Sequence, residues 1–207
     1  MMMKKSIIYQ NPFHTLVEKS KNDHLAKAIK SIGPLEIPVC GFKKVHHFLA
    51  HSVVGQQLSI AAARTIWNRV DTFSKCYGED ITELEISIHS QEIRACGVSY
   101  NKIKALEALA TFFQDSNIEK RLTDLDHDQR SKLLTSIWGI GQWTCDMASI
   151  FYYSERDIWP LLDAGLKRGL SKIESNNIDF ENFADAYRPY RSYLCLYLWH
   201  IADNEVF

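Results

Sequence analysis

Gly139 and Gly141 flank Ile140, and a lone carboxylate, Asp163, follows beyond Pro160 in the stretch IWGIGQWTCDMASIFYYSERDIWPLLDAG. A Gly-x-Gly turn lets the backbone bend tightly and approach another molecule with no Cβ in the way. A helix beginning near Gln142–Thr144 would then turn its first N–H groups outward, and unpaired amides at a helix start attract an anion. Ile140 is expected to pack inward and lock the flanking helices. The same residues also suit a plain αα-hairpin with a glycine connection. Asp163 lies among Leu161, Leu162, Ala164 and Leu166. It suits the N-cap of the helix carrying Leu166 and Leu170. It equally suits a carboxylate held at a helix start for electrostatic or base chemistry. One residue can serve both ends, and periodicity does not separate them.

The elements that must position these groups are helical. In SYNKIKALEALATFFQ the residues Ile103, Leu106, Leu109, Ala110 and Phe113 recur every three or four positions. LSIAAARTIWNRVDTF repeats the pattern with Ile60, Ala63, Ile66, Trp67 and Val70, and Ser59 is placed to cap it. HSQEIRACG and DHDQRSKLLTSIWG read as short helices closed by glycine, and ENFADAYRPYRSYLCLYLWHIAD as a helix restarting at Pro189. No alternating strand run or repeat interrupts them. The expectation is an all-α protein of about ten short helices in two lobes. The central lobe spans roughly 45–155, the second roughly 1–44 plus 156–207, and a helix–hairpin–helix spans 131–153. Segment 160–165 would then sit at the junction, where clefts form.

Composition narrows the class. Hydrophobic content of 46% with 24% charged residues in 207 residues suits a globular chain. No apolar run is long enough to span a bilayer, and the start has lysines without an apolar segment behind them. The five cysteines contain no C-x-x-C pair, so they read as buried free thiols of a reducing compartment rather than a disulfide frame, zinc site or iron–sulfur cluster. The expected location is cytoplasmic. A net charge of −1 gives no global sign of a polyanion partner, although residues 1–75 are rich in Lys and Arg and residues 76–128 are rich in acids.

Four segments in order carry a family resemblance. GIGQWTCDMASIFYY…DIWPLLDAGLKRG resembles the hairpin and following Asp of the helix–hairpin–helix DNA glycosylase superfamily. HSVVGQQLSIAAARTIWNRV, GVSYNKIKALEALA and YRPYRSYLCLYLWH resemble helices of its alkylation-repair branch, the 3-methyladenine DNA glycosylase II type. The resemblance implies that Asp163 is catalytic. A purine alkylated at N3 or N7 is cationic and leaves readily, so one carboxylate can stabilise the oxocarbenium-like sugar and orient water. Trp143 matches the position where bifunctional relatives carry a lyase lysine, which implies base removal without strand cleavage. Gln56, Gln57 and Leu58 match the loop that fills the gap left by a flipped nucleotide.

The resemblance further places Trp143, Met147 and Trp199 in the base pocket, Met147 where some relatives have an aromatic. The turn and helix start of Gly139, Ile140, Gly141, Gln142 and Thr144 are expected at a DNA phosphate, and Lys167, Lys102, Lys104 and Arg168 are candidate cations near the motifs. The carbonyls of Thr135, Ile137 and Gly139 match ligands of a structural monovalent cation, Na+ or K+; no other cofactor is expected. His47 and His51, four apart, could share a metal. With no Glu between them and His46 interrupting, surface or DNA-facing histidines are expected instead. The implied activity is monofunctional hydrolytic excision of alkylated purines, of the 3-methyladenine and 7-methylguanine type, from double-stranded DNA. It would be performed by a monomer with no membrane role, at the nucleoid or in the nucleus according to the cell. Two alternatives stay open. One is a related glycosylase for hypoxanthine, uracil or ethenoadenine; the other is a non-catalytic DNA-binding protein.

Overall fold

A computed structural model describes residues 11–174 and 179–204. The described residues form twelve α-helices, a π-turn and a 3₁₀-turn, with no strand. No helix among them is long and apolar enough to cross a membrane. The chain divides into two compact units, residues 39–154 and residues 1–38 with 155–207.

The first unit is continuous in sequence. It contains α3 (Val45–Gly55), α4 (Ile60–Lys75), α5 (Ser90–Ala95), α6 (Tyr100–Phe112), α7 (Ile118–Asp124), α8 (His127–Leu134) and α9 (Gln142–Met147). Helix α3 is its centre and packs on α4, α6 and α9. Val45, Leu49, Val53 and Val54 of α3 are fully buried with Leu106 and Leu109 of α6. The caps follow the side-chain types. Ser59 accepts from Ala62 N–H at 3.3 Å, and Ser99 from Lys102 N–H at 3.4 Å. Asp126 and Gln129 form a reciprocal capping box at α8. Helix α9 runs on as a π-turn, Ala148–Tyr152, closed by Tyr153 N–H on Ala148 O at 3.0 Å. Wider turns of this kind cluster at functional sites.

The second unit joins α1 (Phe13–Lys19) and α2 (Asp23–Ile32) to α10 (Ala164–Ile173), α11 (Phe180–Phe183), the 3₁₀-turn Ala184–Tyr187 and α12 (Arg191–Asp203). Its core gathers Leu16, Leu25, Ile29, Leu166, Leu170, Tyr197, Leu198 and Ile201. The Tyr197 ring is fully buried, and its hydroxyl donates to Gly33 O at 2.9 Å while accepting from Leu35 N–H at 3.2 Å. A buried phenol needs such partners.

Several local expectations are corrected. Ile60 does not join the buried face of α4; at the first position of that helix it is 80% exposed. The C-terminal helix begins at Arg191, because residues 188–190 form the turn that precedes it. Glycine does not close α8 directly: that helix ends at Leu134, and Gly139 sits at the far end of the following turn. Cys145 and Cys195 are buried, but Cys76 is exposed. Burial pushes the Cys145 thiol up to about 12, so it stays protonated and inert.

Candidate DNA-contacting elements and carboxylate site

In the continuous unit the hairpin turn is built on one obligatory glycine. Gly139 has φ +87°, and a Cβ there would overlap the Ala105 Cβ of α6. Ile137 and Ile140 are buried beneath the turn, so Ile140 offers only its backbone to a ligand. Gly141 and Gln142, at the start of α9, are exposed. The Gln142 side chain turns back to Asp146, Nε2 to Oδ1 at 2.7 Å. Thr144 is 1% exposed and lies inside the unit rather than facing a ligand. Its position on the inner face of α9 outweighs its polar type. Trp138, which the sequence reading passed over, is half exposed on the same turn, with the Lys104 ammonium 4.5 Å from its ring centroid. Its only sequence signal is a Trp in a turn.

The loop after α3 is tied to this hairpin. Gln56 donates from Nε2 to Gly139 O at 3.1 Å and to Thr144 Oγ1 at 3.3 Å. Gln57 has φ +57° and, with Leu58, is exposed. The loop therefore separates three neighbouring residues into one inward anchor and two outward side chains. Lys102 faces inward as well: its Nζ donates to Val54 O and Gln56 O, each at 2.8 Å. Its assignment as a DNA-facing cation is thereby corrected, and burial holds its ammonium below the usual lysine range.

In the other unit, Asp163 is 6% exposed. Its N–H closes a turn onto Pro160 O at 3.1 Å. Its Oδ1 caps α10 by accepting from Leu166 N–H at 2.8 Å and also accepts the Trp199 indole N–H at 2.9 Å. Gly165 makes room for the pair, since a Cβ there would lie 2.9 Å from the Trp199 ring and 3.0 Å from Asp163 Oδ1. Leu161 and Leu162 immediately before the carboxylate are exposed, Leu162 at 67%.

Helix α12 fixes the whole approach to Asp163 along one face. Arg191 grips Asp157 with a fork, Nε to Oδ1 at 2.7 Å and Nη2 to Oδ2 at 3.1 Å. Ser192 Oγ donates to Glu155 O at 2.7 Å and accepts from Ile158 N–H at 3.0 Å. Cys195 Sγ lies 3.7 Å from Ile158 O, and Trp199 reaches Asp163 one turn later. Arg191 thus holds the Asp157 side chain and Ser192 the backbone at Glu155 and Ile158, while the downstream Trp199 holds the Asp163 carboxylate. Lys167 is exposed, its Nζ 5.3 Å from the Phe180 ring, and Arg168 lies 3.7 Å from Asp203. Of the residues that the resemblance implies for a base pocket, Trp199 lies beside Asp163, and in the continuous unit partly buried Trp143 and buried Met147 lie four apart on α9.

His47 and His51 are only partly exposed. His47 and His51 pack around Phe42 and Trp67, and burial lowers the His51 pKa. The tightest group of metal-capable side chains among the described residues is His46, Asp80 and Glu83. Both Glu83 oxygens are already engaged, one by Lys44 and one by Asp80 N–H.

No family model matches the chain. A DNA-3-methyladenine glycosylase of Schizosaccharomyces pombe is 31% identical over 166 residues, covering 76% of this chain and 72% of the relative. The DNA-3-methyladenine glycosylase of Saccharomyces cerevisiae is 27% identical over 199 residues, covering 76% of this chain and 66% of the relative. In fold, the chain is similar to the solved S. pombe 3-methyladenine DNA glycosylase bound to abasic DNA. That match has a TM-score of 0.79 and 23% identity, covering 96% of this chain and 99% of the other. With its helical units, its hairpin and a buried carboxylate capping the helix beyond it, the chain belongs to the DNA-3-methyladenine glycosylase family of helix–hairpin–helix proteins.

Proposed function

We propose that this protein is a monofunctional DNA glycosylase that excises alkylated purines in base excision repair, acting as a monomer on double-stranded DNA where the cell keeps its genome. The observation that carries the reading is Asp163: a buried carboxylate whose Oδ1 is held by two donors, in a chain of this family. The glycosidic electron pair leaves with the base and cancels its positive charge, and water then adds to C1′ of the sugar and gives up its proton through Asp163 to solvent. Asp163 faces the cationic sugar that forms between these events and orients the water. Trp143 stands where an amine would be needed for a Schiff base, so the product is an abasic site in an uncut strand. Aromatic faces at Trp143 and Trp199 favour a cationic base over a neutral one by about 0.5–2 kcal/mol.

Gln57 and Leu58 are the wedge, because the loop turns both outward while Gln56 is committed to the hairpin. The backbone of Gly139–Gln142 receives a phosphate. The carbonyls of Thr135, Ile137 and Gly139 suit a structural monovalent cation there. Ile137 O and Gly139 O each accept one hydrogen bond, from Ile140 N–H and Gln56, and a carbonyl can accept twice. Such an ion would brace the turn against phosphate and supply no chemistry at the sugar.

The test is a panel of duplexes bearing 3-methyladenine, 7-methylguanine, ethenoadenine, hypoxanthine and uracil, scored separately for base release and nicking. Release of the cationic purines without nicking is the expected result. Preference for a neutral base would move the substrate class, and DNA binding with no release would leave a non-catalytic DNA-binding protein.

A further inference from the structure

Lys102 reads from sequence as one more surface cation, yet its ammonium is spent inside the continuous unit. It donates to the last-turn carbonyl of Val54 and to the carbonyl of Gln56. Both lie at the end of α3, where backbone carbonyls have no partner within the helix. Gln56 then passes the constraint on: its side-chain amide holds Gly139 O and the buried Thr144 hydroxyl. Immediately after these anchors the backbone enters the left-handed region at Gln57, and the Leu58 N–H returns to Gly55 O at 3.2 Å. A left-handed non-glycine residue is held only where its surroundings over-determine it.

We propose that Lys102 and Gln56 form a brace that makes the wedge loop and the phosphate-binding turn one rigid piece, and that Lys102 is a positioning residue for base flipping rather than a DNA contact. The inference rests on the reading of residues 56–58 as the wedge. Phosphate capture by the hairpin then presents Gln57 and Leu58 to the base stack at a fixed distance. The side chains that enter the stack need no anchor of their own. Lys102 brings the positive charge to the C-terminal end of α3, where it complements the helix dipole. Arg would not reproduce it without moving the loop, since a planar fork does not replace one ammonium shared by two carbonyls.

The discriminating measurement compares single-turnover excision of 3-methyladenine from a fully paired duplex with excision from a duplex where the lesion sits in a single-nucleotide bulge, already extruded. Lys102→Met and Gln56→Leu are each expected to slow the paired substrate about tenfold, the scale of losing a charge-assisted or buried hydrogen bond, and to leave the bulged substrate within about twofold. The double variant is expected to fall no further than either single one, because the two residues act in series. An equal loss on both substrates would mean that the brace only supports folding, and no loss on either would mean that the wedge needs no brace. Either result overturns the inference. If Lys102→Met unfolds, Gln56→Leu at the partly exposed loop carries the comparison alone. Should the unaltered protein release no methylated base from either duplex, the functional reading fails instead.

Discussion

Asp163 and Gln57 are the two residues expected to act most directly on a damaged nucleotide, and the protein treats them in opposite ways. Around Asp163 the functional atom itself is tied down. Oδ1 takes a backbone N–H and an indole N–H, Gly165 clears the space, and α12 clamps the preceding backbone from residue 155 onward. Around Gln57 the anchors stop one residue short: Gln56 and Lys102 are bonded, while Gln57 and Leu58 project into solvent. The contrast follows from the tasks. A carboxylate facing a developing cation must hold its position to a fraction of an ångström. A side chain that fills a gap in a base stack must fit four different neighbours, so rigidity is useful in its backbone and costly in its tip.

The comparison can be broken most sharply at its rigid end. Asp163→Asn keeps size and should still bind lesion-bearing duplex, but base release should fall by about 10²–10³-fold, the scale of removing one preorganised electrostatic group. Near-normal release of 3-methyladenine by that variant would end the catalytic assignment. Gly139→Ala tests the turn both regions of the hairpin depend on. A positive φ and the overlap with Ala105 should together cost about 2–4 kcal/mol of stability, read as a lowered melting temperature. An unchanged melting temperature would show that α6 can yield there.

Smaller effects sharpen the contrast. Trp199→Phe retains an aromatic face and deletes only the N–H on Asp163. It should lower kcat at least about tenfold while KM for duplex stays level, because a hydrogen bond to a charged group is worth about 1.5–3 kcal/mol. A rise in KM with kcat intact would instead make Trp199 a pocket wall. Gln57→Ala should be the mildest, slowing paired duplex about threefold, since Leu58 beside it still fills part of the gap. An effect as large as that of Asp163→Asn would mean that the wedge tip is as exactingly placed as the carboxylate.

Much of the helical framework was legible because helical periodicity and capping are local. The buried positions Ile103, Leu106 and Leu109 mark one face of α6, and Ser59 caps α4 as its hydroxyl and position suggest. Ile60 shows where that reading fails. Apolar type was taken as burial, but the first residue of α4 stands 80% exposed beside the 56–58 loop. Thr144 is the reverse case: a polar residue at the start of α9 whose face points inward, with Gln56 as its partner 88 residues away. His47 and His51 likewise read as surface groups and lie against Phe42 and Trp67.

By itself the sequence determined that the chain is helical, that glycines bend the turn before α9 and that Asp163 stands at a helix start. Each of these depends on residues within a few positions of one another. That the Trp199 indole joins the local cap on Asp163 Oδ1, which of three loop residues turns outward and whether Lys102 meets solvent or carbonyls were decided only by the tertiary structure. Those outcomes hang on partners 36 to 88 residues distant in the chain. No local pattern encodes such pairings; they arise when helices pack and each buried polar group must find a partner.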